Sequence, residues 1–86
     1  MSRTAVTLYT RVDCHLCDEA KAVLEEVRRE RPFELTIVDV DTDPALVEAY
    51  GLEVPVILVG GRKAFKYRVD PEGLKARLDQ ADSAGA

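Results

Sequence analysis

Apolar residues recur along this chain in two patterns, short strand-like runs and longer stretches with helical spacing. The strand-like runs occupy four segments, residues 4–10, 33–40, 56–59 and 62–69. A helical stripe follows the first run and consists of Leu16, Ala20, Val23, Leu24 and Val27. A shorter stripe, with Leu74 and Leu78, follows the last run. The spacing therefore predicts buried strands that alternate with amphipathic helices.

Proline, aspartate and glycine mark where these elements begin and end. Pro32 ends the first helix, because the residue before a proline is disfavoured in helical conformation. Asp43-Pro44 and Asp70-Pro71 each combine a capping side chain with a proline suited to the first helical position. Gly60-Gly61, between the third and fourth strands, is typical of a two-residue hairpin turn. The predicted order of elements is β-α-β-α-β-β-α.

This order predicts an α/β domain built on one mixed sheet. A strand-helix-strand unit places its two strands parallel through a right-handed crossover, whereas the final hairpin places its strands antiparallel. We expect a four-stranded sheet with helices on both faces. The domain is expected to span residues 1–81. Residues 82–86 are expected to form a short disordered tail, because the residues at that end of the chain are small and polar.

Composition and charge exclude several classes of protein. The net charge is -4, with acidic and basic residues interleaved, so no clustered basic face for nucleic acid is expected. No apolar run approaches the roughly 20 residues that span a bilayer, and the N-terminus has no secretory signal pattern. We therefore expect a cytoplasmic protein with no membrane partner, and a monomer.

The chain has two cysteines, Cys14 and Cys17, and they lie where the first helix begins. Two intervening residues allow both sulfurs to meet across one helical turn. The N-terminus of a helix favours a thiolate, and the thiolate is the species that attacks disulfides. In a reducing compartment such a pair is more often catalytic or metal-binding than structural. We predict that Cys14 is the nucleophile and Cys17 the resolving thiol.

Two cationic candidates lie beside this pair. His15, if charged, could stabilise the Cys14 thiolate, although a solvent-facing histidine without a role is an equal alternative. Arg11 could favour the thiolate or hold a substrate carboxylate by paired hydrogen bonds, and an exposed arginine at a strand end is the alternative. Both residues are predicted to contribute to substrate binding.

Three features together resemble the glutaredoxin-like form of the thioredoxin fold. They are the strand-to-cysteine segment at residues 8–17, Val54-Pro55 before an apolar strand, and the Gly60-Gly61 hairpin after it. More narrowly, the Cys-His-Leu-Cys-Asp-Glu-Ala-Lys run at residues 14–21 and Arg68-Val69-Asp70 resemble a bacterial glutaredoxin-like family. The resemblance implies a minimal thioredoxin fold and thiol-disulfide oxidoreductase activity.

The same resemblance implies that the Val54-Pro55 peptide bond is cis. A cis bond there would turn the Val54 N–H and C=O towards the sulfurs, where they could pair with an extended substrate backbone. Val54 and Pro55 are therefore predicted substrate-binding residues, together with Arg11 and His15.

The chain departs from glutaredoxins proper in two places. Those proteins usually have Pro-Tyr between the cysteines, where this chain has His15-Leu16. They also carry a glycine pair and an acidic residue that hold glutathione, where this chain has Phe-Lys-Tyr-Arg-Val-Asp at residues 65–70. Without the glycines, a peptide ligand approaches the backbone less closely. Glutathione is thus a possible co-substrate, and the electron donor is either glutathione or a thioredoxin-type reductase.

The sequence favours a thiol-disulfide oxidoreductase that needs no bound cofactor or metal. Its partner would be a disulfide-containing protein or a small thiol substrate. One alternative is a redox-sensing or binding module that forms the Cys14–Cys17 disulfide without turnover. Another is a metal or iron–sulfur carrier in which the two cysteines supply two of four ligands.

Overall fold

Four strands and three helices follow one another in the predicted order. The computed structural model describes the backbone of residues 4–84 and the side chains of residues 4–81. The elements are β1 (Ala5–Thr10), α1 (His15–Glu30), β2 (Glu34–Asp39), a 3₁₀ turn (Val40–Thr42), α2 (Pro44–Tyr50), β3 (Val56–Val59), β4 (Arg62–Lys66) and α3 (Pro71–Ala84).

The strands form one mixed sheet with the spatial order β2-β1-β3-β4. β1 runs parallel to β2 and antiparallel to β3, and β3 runs antiparallel to β4. The register pairs Tyr9 of β1 with Val56 of β3. The C-terminal ends of β1 and β4 and the N-terminal end of β3 consequently lie at the same end of the sheet.

The main core lies between one face of the sheet and the helices α1 and α3. Alternate residues of β1 point into it, and the predicted stripes of α1 and α3 supply its other side. Its buried members are Val6, Leu8, Ala20, Leu24, Val27, Phe33, Ile57, Val59, Val69, Leu74 and Leu78. This packing fixes the start of α1 relative to the end of β1, which is where the two cysteines lie.

Helix α2 covers the opposite face. Tyr9 points away from the main core, and its ring stacks on that of Tyr50 with centroids 4.5 Å apart. Val56, its partner in the sheet, is fully buried beside it. Helices therefore lie on both faces, as the sequence predicted.

Two boundaries differ from the sequence prediction by more than one residue. β4 ends at Lys66 instead of residue 69, because Tyr67 adopts a left-handed backbone with φ 68°. Helix α3 continues to Ala84, so it includes residues 82–84 of the expected tail, and residues 85–86 lie outside the described part of the chain. Across residues 4–84, no helix is both long and apolar enough to cross a membrane.

Candidate functional site

A disulfide joins Cys14 and Cys17 across the first turn of α1. Cys14 is the N-cap residue, with an extended backbone, and its sulfur accepts a hydrogen bond from the Cys17 N–H at 3.1 Å. Cys14 is half-buried, whereas Cys17 is only 4% exposed. The Cα atoms lie 5.2 Å apart, a separation that the three-residue spacing in a helical turn provides. The site is thus in its oxidised form, with Cys14 as the accessible sulfur.

The loop before Cys14 turns the chain from β1 into α1. Asp13 adopts φ 60°, a left-handed conformation that aspartate tolerates better than most residues. This turn leaves the Cys14 sulfur at the N-terminus of α1, where unpaired N–H groups and the helix dipole favour negative charge.

His15 is the first residue of α1, and its side chain is exposed. It makes no side-chain hydrogen bond or ion pair within residues 4–81. The structure therefore places it beside Cys14 in solvent, and its effect on the thiolate stays a prediction.

Arg11 is held by two groups of the chain itself. Its Nε and Nη2 donate to the two carboxylate oxygens of Asp41, at 3.2 and 2.8 Å, and its Nη1 donates to the Gly51 carbonyl at 3.3 Å. The hydrogen bond to Asp41, and then the charge of Asp41, raise the pKa of Arg11. The guanidinium thus ties the end of β1 to the 3₁₀ turn and to the end of α2. These contacts use three of the five N–H groups of Arg11, and its binding of a substrate carboxylate stays a prediction.

The Val54-Pro55 peptide bond is cis, as the resemblance implied. Pro55 is buried and directly precedes β3, whose Val56 pairs with Tyr9. Val54 and Pro55 therefore lie beside the segment that leads from β1 to Cys14. Within residues 4–84 the Val54 N–H and C=O make no hydrogen bond, and the role of Val54 and Pro55 in substrate binding stays a prediction.

Glu53 is a residue of this region that the sequence analysis did not identify. Its carboxylate receives hydrogen bonds from Lys63 at 2.6 Å and from Lys66 at 3.4 Å. The hydrogen bond from Lys63 is the largest of the effects that lower the pKa of Glu53. The contact joins the loop before β3 to the edge strand β4. No local pattern could have indicated it, because the partners are 10 and 13 residues away.

A metal site in a protein needs several ligating side chains that converge on one point. Within residues 4–84 no three histidine, cysteine, aspartate or glutamate side chains converge in an arrangement that could hold a metal ion.

Solved thioredoxins from Halobacterium salinarum and from chloroplasts superpose on most of the chain at TM-scores of 0.69 and 0.77. This likeness confirms the minimal thioredoxin fold. The chain belongs to the glutaredoxin-like domain family (DUF836), whose model matches residues 5–79.

Three relatives are similar over most of their length. The structural-genomics protein XcR50 from X. campestris is 43% identical, with 88% of this chain and 97% of that chain covered and a TM-score of 0.75. An uncharacterised protein of Mycobacterium tuberculosis is 35% identical over 91% of this chain and 86% of its own. A thioredoxin of Methanocaldococcus jannaschii is 35% identical over 76% of this chain and 80% of its own.

Proposed function

We propose that this protein is a thiol-disulfide oxidoreductase that reduces the disulfides of other molecules. The observation that carries the proposal is the disulfide across the first turn of α1, with Cys14 accessible and Cys17 buried beneath it. This asymmetry supports different roles for the two sulfurs. An external disulfide can reach Cys14, whereas Cys17 can reach only Cys14.

The cycle starts from the dithiol form. The Cys14 thiolate attacks one sulfur of the substrate disulfide, forms a mixed disulfide with it, and expels the other substrate sulfur as a thiolate that takes a proton from water. Cys17 then loses its proton and attacks the Cys14 sulfur, which releases the second substrate sulfur as a thiol. Two electrons and two protons have passed to the substrate, and the Cys14–Cys17 disulfide remains.

The geometry around Cys14 supports the first step. The Cys17 N–H that now donates to the Cys14 sulfur would donate to the thiolate as well, and the N-terminus of α1 adds a favourable dipole. The unpaired Val54 N–H and C=O supply the two groups that an extended substrate backbone needs for strand-like pairing. His15, the first residue of α1, is exposed next to this sulfur, and we propose that it contacts the substrate there.

The two thiols hold both electrons, so the reaction requires no bound cofactor. The disulfide is returned to the dithiol by an external thiol donor, for which we propose glutathione or a thioredoxin-type reductase. This chemistry fits a protein that acts as a monomer in the cytoplasm, where such donors are abundant.

The test combines two cysteine variants with intact mass spectrometry. Cys14→Ser should abolish reduction of a disulfide substrate, because no accessible nucleophile remains. Cys17→Ser should accumulate a mixed disulfide with the substrate at Cys14, because the resolving thiol is absent. Wild-type protein that forms its disulfide but reduces no substrate with any thiol donor would instead identify a redox-sensing module.

A redox titration in glutathione buffers, with the mass recorded at each point, separates the two donors. A gain of one glutathione, or equilibration near -200 to -230 mV, would fit a glutaredoxin-type cycle. Equilibration near -270 mV without an adduct would fit a thioredoxin-type donor.

A further inference from the structure

The two edges of the sheet differ in how they are protected from pairing with another chain. With the spatial order β2-β1-β3-β4, the edge strands are β2 and β4. β4 carries the basic residues Arg62, Lys63 and Lys66, and its pairing with β3 contains an irregularity of register. Lysine side chains and bulges are two common devices that keep an edge strand from adding a further strand. β2 has neither, and its register with β1 is regular along its length.

The edge strand β2 is open to solvent. None of its residues is buried, and Ile37, near its middle, is 43% exposed. Leu8, which pairs with Ile37 across the sheet, is only 1% exposed. The apolar face of the sheet therefore continues past the buried core to an exposed isoleucine at the edge. A single exposed apolar side chain is ordinary, so what matters is the backbone beside it.

The backbone groups of Leu35 and Ile37 point away from the sheet. The Glu34 N–H donates to the Thr4 carbonyl at 3.0 Å, so the hydrogen-bonding groups of Glu34 face β1. Because these groups point to opposite sides in successive residues of a strand, those of Thr36 also face β1, whereas those of Leu35 and Ile37 face outwards. Within the described residues, the outward N–H and C=O groups of these two residues make no hydrogen bond.

The open stretch of β2 is limited at both ends by contacts within the chain. The carbonyl of Phe33, just before it, accepts a hydrogen bond from Arg28 Nε at 3.1 Å. The carbonyl of Asp39, just after it, accepts one from the Thr42 hydroxyl at 2.7 Å. The two ends are thus satisfied internally, and the middle is not. An incoming strand would pair with the backbone groups that remain between them.

The charge along this edge favours a basic occupant. Residues 34–43, which contain β2 and the turn after it, include four acidic residues and no basic one. Asp41 is paired with Arg11, whereas Glu34 has no ion-pair partner within the described residues, and Arg28 offsets part of the remaining charge. Pairing with β2 of a second copy would bring two such acidic segments together, and like charges opposite each other destabilise a sheet.

We propose that the β2 edge binds, by strand addition, an extended segment of a partner protein in which apolar and basic residues alternate. Backbone pairing with Leu35 and Ile37 supplies the affinity, and the side chains supply the specificity. Since successive side chains lie on opposite faces of a sheet, the apolar ones pack beside Ile37 and the basic ones lie on the face of Glu34. β1 separates this edge from β3 and its cis-proline, so the site is independent of the function proposed above.

The probe is a peptide of alternating valine and lysine, about as long as β2 and blocked at both ends. Fluorescence anisotropy measures its binding to the full-length protein, and amide hydrogen exchange locates it. In the complex we expect slower exchange of the Leu35 and Ile37 amides, because their N–H groups become paired. The Thr36 amide, which already faces β1, is the internal control and should exchange at an unchanged rate.

Two control peptides separate backbone pairing from attraction between charges. In the first, every backbone nitrogen is methylated, so that it has no N–H group to donate, and we expect no binding. In the second, glutamate replaces lysine. We expect this peptide to bind about tenfold more weakly, because it exchanges an attractive cross-strand pair for a repulsive one.

Variants of the protein test the same surface from its own side. Ile37→Lys should abolish binding, because it places a charge in the middle of the edge, and Glu34→Lys should lower the preference for the lysine peptide. Leu52→Lys is the matched control, since it makes the same change at an exposed apolar residue outside β2. It should bind like the wild type, as should Cys14→Ser, and thermal melting confirms that each variant is folded.

Failure of the lysine peptide to bind, or binding that leaves the exchange of the Leu35 and Ile37 amides unchanged, would overturn the proposal while the oxidoreductase activity stands. Sedimentation of the wild type as a dimer that Ile37→Lys converts to a monomer would also overturn it, because the occupant would then be a second copy. Wild-type protein that binds the peptide as expected but reduces no disulfide would support the edge site and refute the proposed function.

Discussion

Two variants, Tyr67→Ala and Tyr67→Gly, distinguish the backbone strain at residue 67 from the contribution of the tyrosine side chain. Both variants remove the ring, and they differ only in whether residue 67 carries a Cβ atom. The backbone there has φ 68°, where a Cβ is unfavourable and glycine is not. We therefore expect the glycine variant to be the more stable of the two.

The magnitude follows from two opposing terms. A left-handed conformation costs an L-residue roughly 1–2 kcal/mol. Glycine loses more freedom on folding, which offsets about 0.4–1 kcal/mol of that advantage. The difference leaves glycine more stable than alanine by about 0.5–1 kcal/mol, which corresponds to a rise in Tm of a few degrees, about 2–8 °C, for a domain of this size.

Urea denaturation of the oxidised protein measures the difference, and Arg77 supplies the control. Arg77 is exposed within α3, where glycine is less stable than alanine by about 1 kcal/mol. The same pair of substitutions should thus have opposite signs at positions 67 and 77. Equal stability of the two variants at position 67, or a more stable alanine, would refute the strain at Tyr67.

Three further predictions follow from the core, a helix cap and an ion pair. Leu24→Ala should destabilise the fold by about 2–5 kcal/mol in urea denaturation, because Leu24 is fully buried; a loss below 1 kcal/mol would contradict this packing. Asp70→Ala should cost about 1 kcal/mol, since it removes the bond from the Gly73 N–H at 2.7 Å, whereas Asp70→Asn should retain most of it. The pKa of Glu53 is lowered in the folded state, so its contribution to stability is present above its ordinary pKa and is lost as the pH falls. Glu53→Gln should therefore be less stable than the wild type at neutral pH and equal to it in acid, and a difference that grows in acid would be the wrong sign.

The site was predictable from sequence where its contacts are local. Cys14 and Cys17 are three residues apart, so a helix start was enough to bring their sulfurs together. The pairing of aspartate with proline at residues 70 and 71 likewise marked the start of α3, where Asp70 accepts from the Gly73 N–H. In both cases the partners lie within one helical turn, so the local sequence is enough to predict the contact.

Contacts between distant residues were not predictable in the same way. The contact of Arg11 with Asp41 was not foreseen, because Asp41 is 30 residues away in a turn that follows β2. The end of β4 was missed because the alternation of apolar and polar residues continues to Val69. The pairing ends earlier, at Lys66, because its partner Val56 is the first residue of β3 and because Tyr67 is left-handed. Both features depend on how strands meet in the sheet, which one sequence does not specify.

The position of the disulfide allows redox change without loss of the fold. Cys14 and Cys17 close a loop of only a few residues, so the disulfide restrains the unfolded chain by about 2 kcal/mol. Helix α1 is held instead by Ala20, Leu24 and Val27, which are buried against the sheet and α3. The packing of these three side chains does not depend on the disulfide. Reduction consequently removes a restraint from the first turn of α1 and leaves the packed part of that helix in place. Two electrons can therefore enter and leave at Cys14 while the buried side of α1 stays packed in the main core.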